Sequence, residues 1–236
     1  MRPWQTVFPE FDRAIYAKAR FAAQQEFGQR PALLIIDVVE SFTGTRPQSV
    51  LDAVDEYRTS CGDRSWEALE HIHTLLDACR SAGVPVVYTK GDPVDKYFCG
   101  DSAKGTRPEE IERIFGAPIA ARIAPLAHEY VLQKTKASAF FASPLAPYFQ
   151  KLGVDTLLVC GTSTSGCVRA SVVDAFSHNF KVFVVEEGCF DRSPFSHLVN
   201  LFEMNQKYAD VITLEEAFGY VVRTAATQPV AAGATE

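Results

Sequence analysis

The chain has 236 residues, 47% of them hydrophobic and 22% charged, with 23 Lys and Arg against 29 Asp and Glu for a formal charge of −6. That composition suits a folded chain with one sizeable core and excludes a disordered or fibrous one. An acidic chain with no dense basic run is a poor partner for nucleic acid, and no apolar run reaches the ~18 residues of a membrane span. The first residues, MRPWQTVFPEFDRAIY, carry charges where a secretion signal needs an apolar core, so a cytoplasmic enzyme or binding protein is expected. Six cysteines occur (Cys61, Cys79, Cys99, Cys160, Cys167 and Cys189), none in a C-x-x-C pair. Without a secretion signal they read as free thiols.

In chain order, residues 1–29 read as an N-terminal arm with a helix around Glu10 to Phe27, of a kind that often packs on a neighbouring subunit. The main domain spans 30–222. PALLIID (31–37) is a short, continuous apolar run. A helix follows, capped by Asp63 or Ser65, with Trp66, Leu69, Ile72, Leu76 and Cys79 at helical spacing and Gly83 after it. VPVVYTK (84–90) is the second strand. Residues 108–127 read as partly helical, broken by Pro118 and Pro125, and EYVLQK (129–134) is the third strand. A short helix near 143–152 leads to DTLLVCG (155–161). A helix then opens near Ser165, with Val168, Val172, Ala175 and Phe176 on one face. KVFVVEE (181–187), a helix over 195–208 and DVITL (210–214) complete the pattern. Residues 223–236 lack apolar periodicity and read as a loose tail.

Continuous apolar strands alternating with amphipathic helices specify an α/β fold: a doubly wound, six-stranded parallel sheet covered on both faces. In such a sheet the site lies at the carboxyl ends of the strands, where strand order reverses. Asp37 ends the first strand, Lys134 ends the third, and Cys167 follows the fourth. Each has a plain alternative: a turn-capping Asp, a solvated strand-end Lys (with Lys136 as the inward one), a packed Cys. Together on one edge they are what a thiol hydrolase needs. A helix N-terminus and a nearby cation would both favour the thiolate. Asp37 could take the thiol proton and return it to a leaving amine. The N–H groups of the Ser163–Cys167 turn point where an oxyanion would form, and Gly161 and Gly166 let that turn approach a substrate.

The histidines offer no better base or metal set. His71 and His73, two apart on a helix, face different ways, and His128, His178 and His197 stand alone. There is no G-x-S-x-G elbow, no G-x-G-x-x-G after the first strand and no P-loop, so neither a nucleotide cofactor nor a metal is expected.

The stretches PALLIIDVVESF, KTKASAFFASPL and CGTSTSGCVRASVVDA resemble the isochorismatase-like cysteine hydrolases, over about residues 31–220 and in the family's motif order. The second and third are most similar to the N-carbamoylsarcosine amidase branch. The resemblance implies a catalytic triad of Asp37, Lys134 and Cys167, and selects Lys134 over Lys136 because the family lysine stands four residues before the Ser of SAF, here Ser138. It implies a non-proline cis peptide at Thr162–Ser163 and an oxyanion hole from the N–H groups of Ser163 and Cys167. Arg192, in CFDRSPFSH, matches an element that holds substrate carboxylate; a surface salt bridge with Asp191 is its alternative. Phe42 and Thr162 join Arg192 as expected substrate-binding residues, with core packing the plainer reading of Phe42. Arg169 reads as structural.

Nicotinamidases carry an additional Asp-x-His and His for a metal, which ESFTGTRPQS after Asp37 lacks, and isochorismatases lack the nucleophilic cysteine. The expectation is a metal-independent amidohydrolase with no cofactor, releasing ammonia from a small amide or N-carbamoyl (ureido) acid. The alternatives are a nicotinamidase-type or maleamate-type amidase, a hydrolase of another small substrate, or a non-catalytic scaffold. The expected partners are a small-molecule substrate and further copies of the chain in a dimer or tetramer, with no nucleic acid and no membrane.

Overall fold

The computed structural model describes residues 2–94 and 107–227. Six strands form one sheet: β1 (Pro31–Ile36), β2 (Val86–Gly91), β3 (Tyr130–Lys134), β4 (Thr156–Thr162), β5 (Lys181–Phe190) and β6 (Asp210–Ile212). Their spatial order is β3-β2-β1-β4-β5-β6, and every neighbouring pair is parallel. Strand order therefore reverses between β1 and β4.

Alternation along a strand explains why an unbroken apolar run is required. Leu34 and Ile36 of β1 point into one core with Phe149, Val159, Val172 and Leu201. Leu33 and Ile35 point into the other with Leu69, Ile72, Leu76 and Val221. All six residues of β1 are buried, as a strand covered on both faces must be.

Nine α-helices occur among the described residues: α1 (Glu10–Lys18), α2 (Glu40–Thr43), α3 (Val50–Glu56), α4 (Asp63–Ser81), α5 (Ile111–Phe115), α6 (Leu145–Lys151), α7 (Arg169–Ser177), α8 (Pro194–Lys207) and α9 (Leu214–Thr227). Helices α6, α7 and α8 supply the first core, and α4 and α9 the second, giving three layers. None is long and apolar enough to cross a membrane.

Four expectations change. The N-terminal helix ends at Lys18 rather than near Phe27, because Arg20 and Ala22 take positive φ of 59° and 58°. The backbone there turns to bond its own domain, Ala22 N–H to Gln206 O at 3.2 Å and Gln25 N–H to Asp210 Oδ2 at 2.7 Å. Trp4, buried to 3% exposure, donates its Nε1–H to Glu186. The arm is thus fastened to its own subunit. Of the tail, residues 223–227 belong to α9, and the remainder lies outside the described residues. Phe176, expected on the buried face of α7, is 45% exposed and meets the ring of Tyr208 edge-on. Finally, β5 runs on to Phe190, through a shift that pairs Val159 with Val184 but Gly161 with Cys189. The irregularity absorbs Glu186, Glu187 and Gly188, and carries Cys189 and Phe190 level with the end of β4.

Candidate active site

Asp37, the residue after β1, has φ +53° and is buried. Asp tolerates this left-handed conformation better than most side chains. Its Oδ2 lies 2.8 Å from Lys134 Nζ at the end of β3. Its Oδ1 accepts the hydroxyl hydrogen of Thr89, from β2, at 2.7 Å. Lys134 Nζ also donates to the carbonyl oxygen of Lys136 at 3.0 Å. Of the two candidate lysines, the inward one is therefore Lys134, and Lys136 contributes its main chain.

Cys167 arrives from the other side of the strand-order reversal. After β4 the chain passes a cis peptide at Thr162–Ser163 and enters a π-helical turn, Thr164–Val168, before α7. The helical geometry thus begins one residue before the expected Ser165, and Cys167 sits within the turn. The Cys167 carbonyl accepts the Ser171 hydroxyl at 2.7 Å, and Ser171 Oγ in turn accepts the Ala139 N–H at 2.9 Å. One serine on α7 thereby ties the turn to the SAF segment after β3.

Gly161 has φ +113°, and a Cβ there would run into the Ile36 carbonyl oxygen. Its glycine lets the end of β4 close on the end of β1, rather than admitting a substrate. At Gly166 a Cβ would meet Ser163 Oγ at 2.6 Å, so that glycine is required by the turn's own closure.

The electrostatics of Cys167 differ from expectation. Burial pushes the thiol up to about 12; Lys134 pulls it down, but the Asp37 carboxylate opposes Lys134. Desolvation and the neighbouring Asp37 carboxylate thus favour the protonated thiol, against the pull of Lys134. For Lys134, burial alone would lower the pKa, but Asp37 and Cys167 together raise it. Its ammonium form is secured by the same two groups.

Thr162 is fully buried. Its hydroxyl donates to the Phe190 carbonyl at 3.1 Å and contacts Cys61 Sγ at 3.7 Å. Its side chain belongs to the floor of the site, which corrects its expected contact with substrate. Phe42, from α2, is half-buried against the second core, and the Arg192 guanidinium lies 5.8 Å from its ring centroid. Arg169 donates to Asn200 Oδ1 at 2.6 Å, a structural contact.

Four site neighbours were not among the expected ones. Thr89 holds Asp37, and Ser171 holds Cys167. Asp191, just past β5 and 5% exposed, accepts both the N–H (2.8 Å) and the Oγ–H (2.7 Å) of Ser165. His197 Nδ1 lies 2.8 Å from Thr164 Oγ1. The one sequence signal is the position of Thr89 near the end of the second apolar run, VPVVYTK (84–90). Among the described residues no three His, Cys, Asp or Glu side chains converge as a metal-holding group. The carboxyl-end rim therefore offers a carboxylate, an ammonium, a thiol and a guanidinium, a set suited to attacking a carbonyl carbon and moving protons.

An isochorismatase domain matches residues 31–216. The chain is 39% identical to the maleamate amidohydrolase of Pseudomonas putida, over 81% of this chain and 86% of that one. It is 29% identical to the N-carbamoylsarcosine amidase of an Arthrobacter species, over 90% of this chain and 79% of the other. Among solved structures, an isochorismatase family protein from Desulfovibrio vulgaris superposes with a TM-score of 0.66 at 28% identity, covering 83% of this chain and all of that one. The site, the six-stranded sheet and these likenesses agree: the chain belongs to the isochorismatase family and is a hydrolase.

Proposed function

We propose that this hydrolase is a metal-independent cysteine amidohydrolase, releasing ammonia from a small amide or N-carbamoyl acid. The observation that carries the reading is the Asp37–Lys134 pair at 2.8 Å with Cys167 interacting with both partners. In this reading the thiol is not ionised in advance. Asp37 accepts its proton as the sulfur attacks the carbonyl carbon, and Lys134 keeps its charge throughout. Backbone N–H groups of Ser163 and Cys167 receive the developing oxyanion. The C–N bond then breaks, ammonia leaves with the proton from Asp37, and a thioester (or thiocarbamate) remains on Cys167. Water, losing a proton to Asp37, cleaves that bond and restores the thiol. The sum is amide plus water giving acid plus ammonia.

Arg192, backed by the Phe42 ring, would take a carboxylate on the substrate. The maleamate amidohydrolase likeness at 39% supports maleamate as a substrate to assay, and the N-carbamoylsarcosine amidase likeness at 29% supports ureido acids beside it. Free thiols at all five described cysteines support a cytoplasmic setting. Phe11 and Ile15, one turn apart and exposed on α1, support a dimer or tetramer.

The test is ammonia release from maleamate and N-carbamoylsarcosine by wild type, Cys167→Ala and Asp37→Asn. Asn is close to Asp in size and tolerates positive φ. Cys167→Ala should melt as wild type does, Asp37→Asn should melt lower because it strands the buried Lys134 charge, and both should lose at least about 1,000-fold in kcat per folded enzyme. Near wild-type turnover by Cys167→Ala refutes the reading.

A further inference from the structure

The turn that carries Cys167 lacks the support a helix start ordinarily has. The first N–H groups of a helix have no partner within it and are usually met by the side chain of the preceding residue. Here that residue, Ser163, makes no such bond. The partner comes instead from the residue just past β5: Asp191 Oδ2 accepts from Ser165 N–H at 2.8 Å and from Ser165 Oγ–H at 2.7 Å. Beside it, Thr164 Oγ1 meets His197 Nδ1 of α8 at 2.8 Å. The two residues before Gly166-Cys167 are thus fastened, Ser165 to the connection between β5 and α8 and Thr164 to α8 itself. That connection reaches the turn because the irregular register of β5 sets Cys189 and Phe190 level with Gly161 and Thr162.

We propose that Asp191 is a positioning residue for the nucleophile: it fixes the Thr164–Val168 turn so that Cys167 faces the Asp37–Lys134 pair. The assignment rests on the amidohydrolase reading above. Two hydrogen bonds to one buried carboxylate oxygen are charge-assisted and short, and they anchor the residue directly before Gly166, which has no side chain to hold the turn itself. On its far side the turn is held by Ser171, through the Cys167 carbonyl. Released from Asp191, its leading end is held to the rest of the fold by the Thr164–His197 contact alone, and Ser165, the residue next to Gly166, loses its anchor. Asp191 touches neither thiol nor Lys134 in this arrangement; it acts through Ser165.

The experiment uses full-length Asp191→Ala, Asp191→Asn, Ser165→Ala and the Asp191→Ala/Ser165→Ala double variant. Each is measured for ammonia release from maleamate, thermal melting, and the rate at which iodoacetamide alkylates Cys167 at pH 9. Expected is a kcat loss of about 30- to 100-fold for Asp191→Ala, with KM within about threefold, because only the geometry of reaction is disturbed. Ser165→Ala keeps its N–H bond and should lose about 3- to 10-fold, while the double variant should be no worse than Asp191→Ala, since both act through one clamp. Asp191→Asn, whose amide oxygen can accept the same two bonds, should recover most of the rate. Alkylation of Cys167 should quicken by about threefold or more in Asp191→Ala as the loosened turn exposes sulfur.

If kcat per folded enzyme and alkylation rate both stay within twofold of wild type, or if the two single losses multiply in the double variant, the assignment is overturned. Should Asp191→Ala fail to fold, Ser165→Ala and Asp191→Asn carry the same comparison. If Cys167→Ala remains active, the amidohydrolase reading fails instead, and the alkylation rates still judge the clamp.

Discussion

Lys134 Nζ stands 2.8 Å from Asp37 Oδ2, with only 4% and 6% of the two side chains exposed. Removing one member of a buried pair strands the other charge, at a typical cost of about 3–5 kcal/mol. Lys134→Met should therefore lower unfolding stability in urea by about 3 kcal/mol and abolish turnover. Adding Asp37→Asn removes the stranded charge, so the double variant should regain at least half of the lost stability and none of the activity. Stabilities that simply add would show that the two groups are not coupled.

The resting thiol yields a second prediction. With burial pushing Cys167 up to about 12, iodoacetamide should label it slowly at pH 7 in substrate-free enzyme, and the rate should climb about tenfold per pH unit through pH 9. A plateau already reached near pH 7 would mean a preformed thiolate. The same shift acts on stability. The folded pKa lies above the thiol's ordinary 9.0, so the folded state holds its proton longer than the unfolded state. That contribution is complete below pH about 9 and is lost as pH rises toward about 12. Lys134, raised from 10.5, adds a loss of the same sign from pH about 10.5 upward. Melting temperature should fall above pH about 9 in wild type, and less steeply in Cys167→Ala.

The positions of Asp37 and Cys167 are legible because parallel strands put their carboxyl ends on one rim and each residue ends or follows an apolar run; Lys134 ends such a run too, but its choice over Lys136 comes from the family resemblance. The six strands were legible for the same reason: β1 must bury both faces, so PALLII has no polar residue. What escaped depends on register or on distant partners. Glu186, Glu187 and Gly188 look like a turn, yet β5 continues past them because Glu186 is met by Arg2 and Trp4 and Glu187 by the Leu214 N–H. Asp191 next to Arg192 reads as a surface pair until that register shift aims it at Ser165. Positive φ at Arg20 closes the helix through local bonds, Arg20 N–H to Ala17 O and Phe21 N–H to Tyr16 O, while that at Ala22 accompanies a tertiary bond to Gln206 O; with no Gly or Asn in ARFAA (19–23), the sequence carries no signal for either. The upward shift of the Cys167 thiol comes from its desolvation and from the Asp37 carboxylate beside it, and neither can be counted before the fold is known.

Arg192 above Phe42, at 5.8 Å, predicts a division between binding and chemistry. Arg192→Met should raise KM for maleamate at least about 30-fold and leave a neutral amide of similar size within about threefold, because the lost contact is made to the carboxylate in ground and transition states alike. Phe42→Leu keeps the apolar volume but removes the ring under the guanidinium, and should raise KM about three- to tenfold. Equal losses on charged and neutral amides would place Arg192 outside the binding site.

The arm gives the last prediction. Phe27 lies with its ring centroid 4.2 Å from those of both Phe183 and Tyr220, stacked on each. It thereby links the segment after α1 to β5 and α9. It also borders a surface basin with Gly28, Pro31 and Pro85 at the amino-end rim of the sheet, opposite the carboxyl-end residues of the site. Being half-buried, the ring should contribute less than a fully enclosed one: Phe27→Ala should cost about 2–3 kcal/mol in urea unfolding. Because its contacts lie at the far rim, kcat and KM of the folded variant should remain within about twofold of wild type. A loss of activity without a loss of stability would mean that the arm reaches the chemistry by a route through the sheet, and the arm would then have to be counted as part of the catalytic unit.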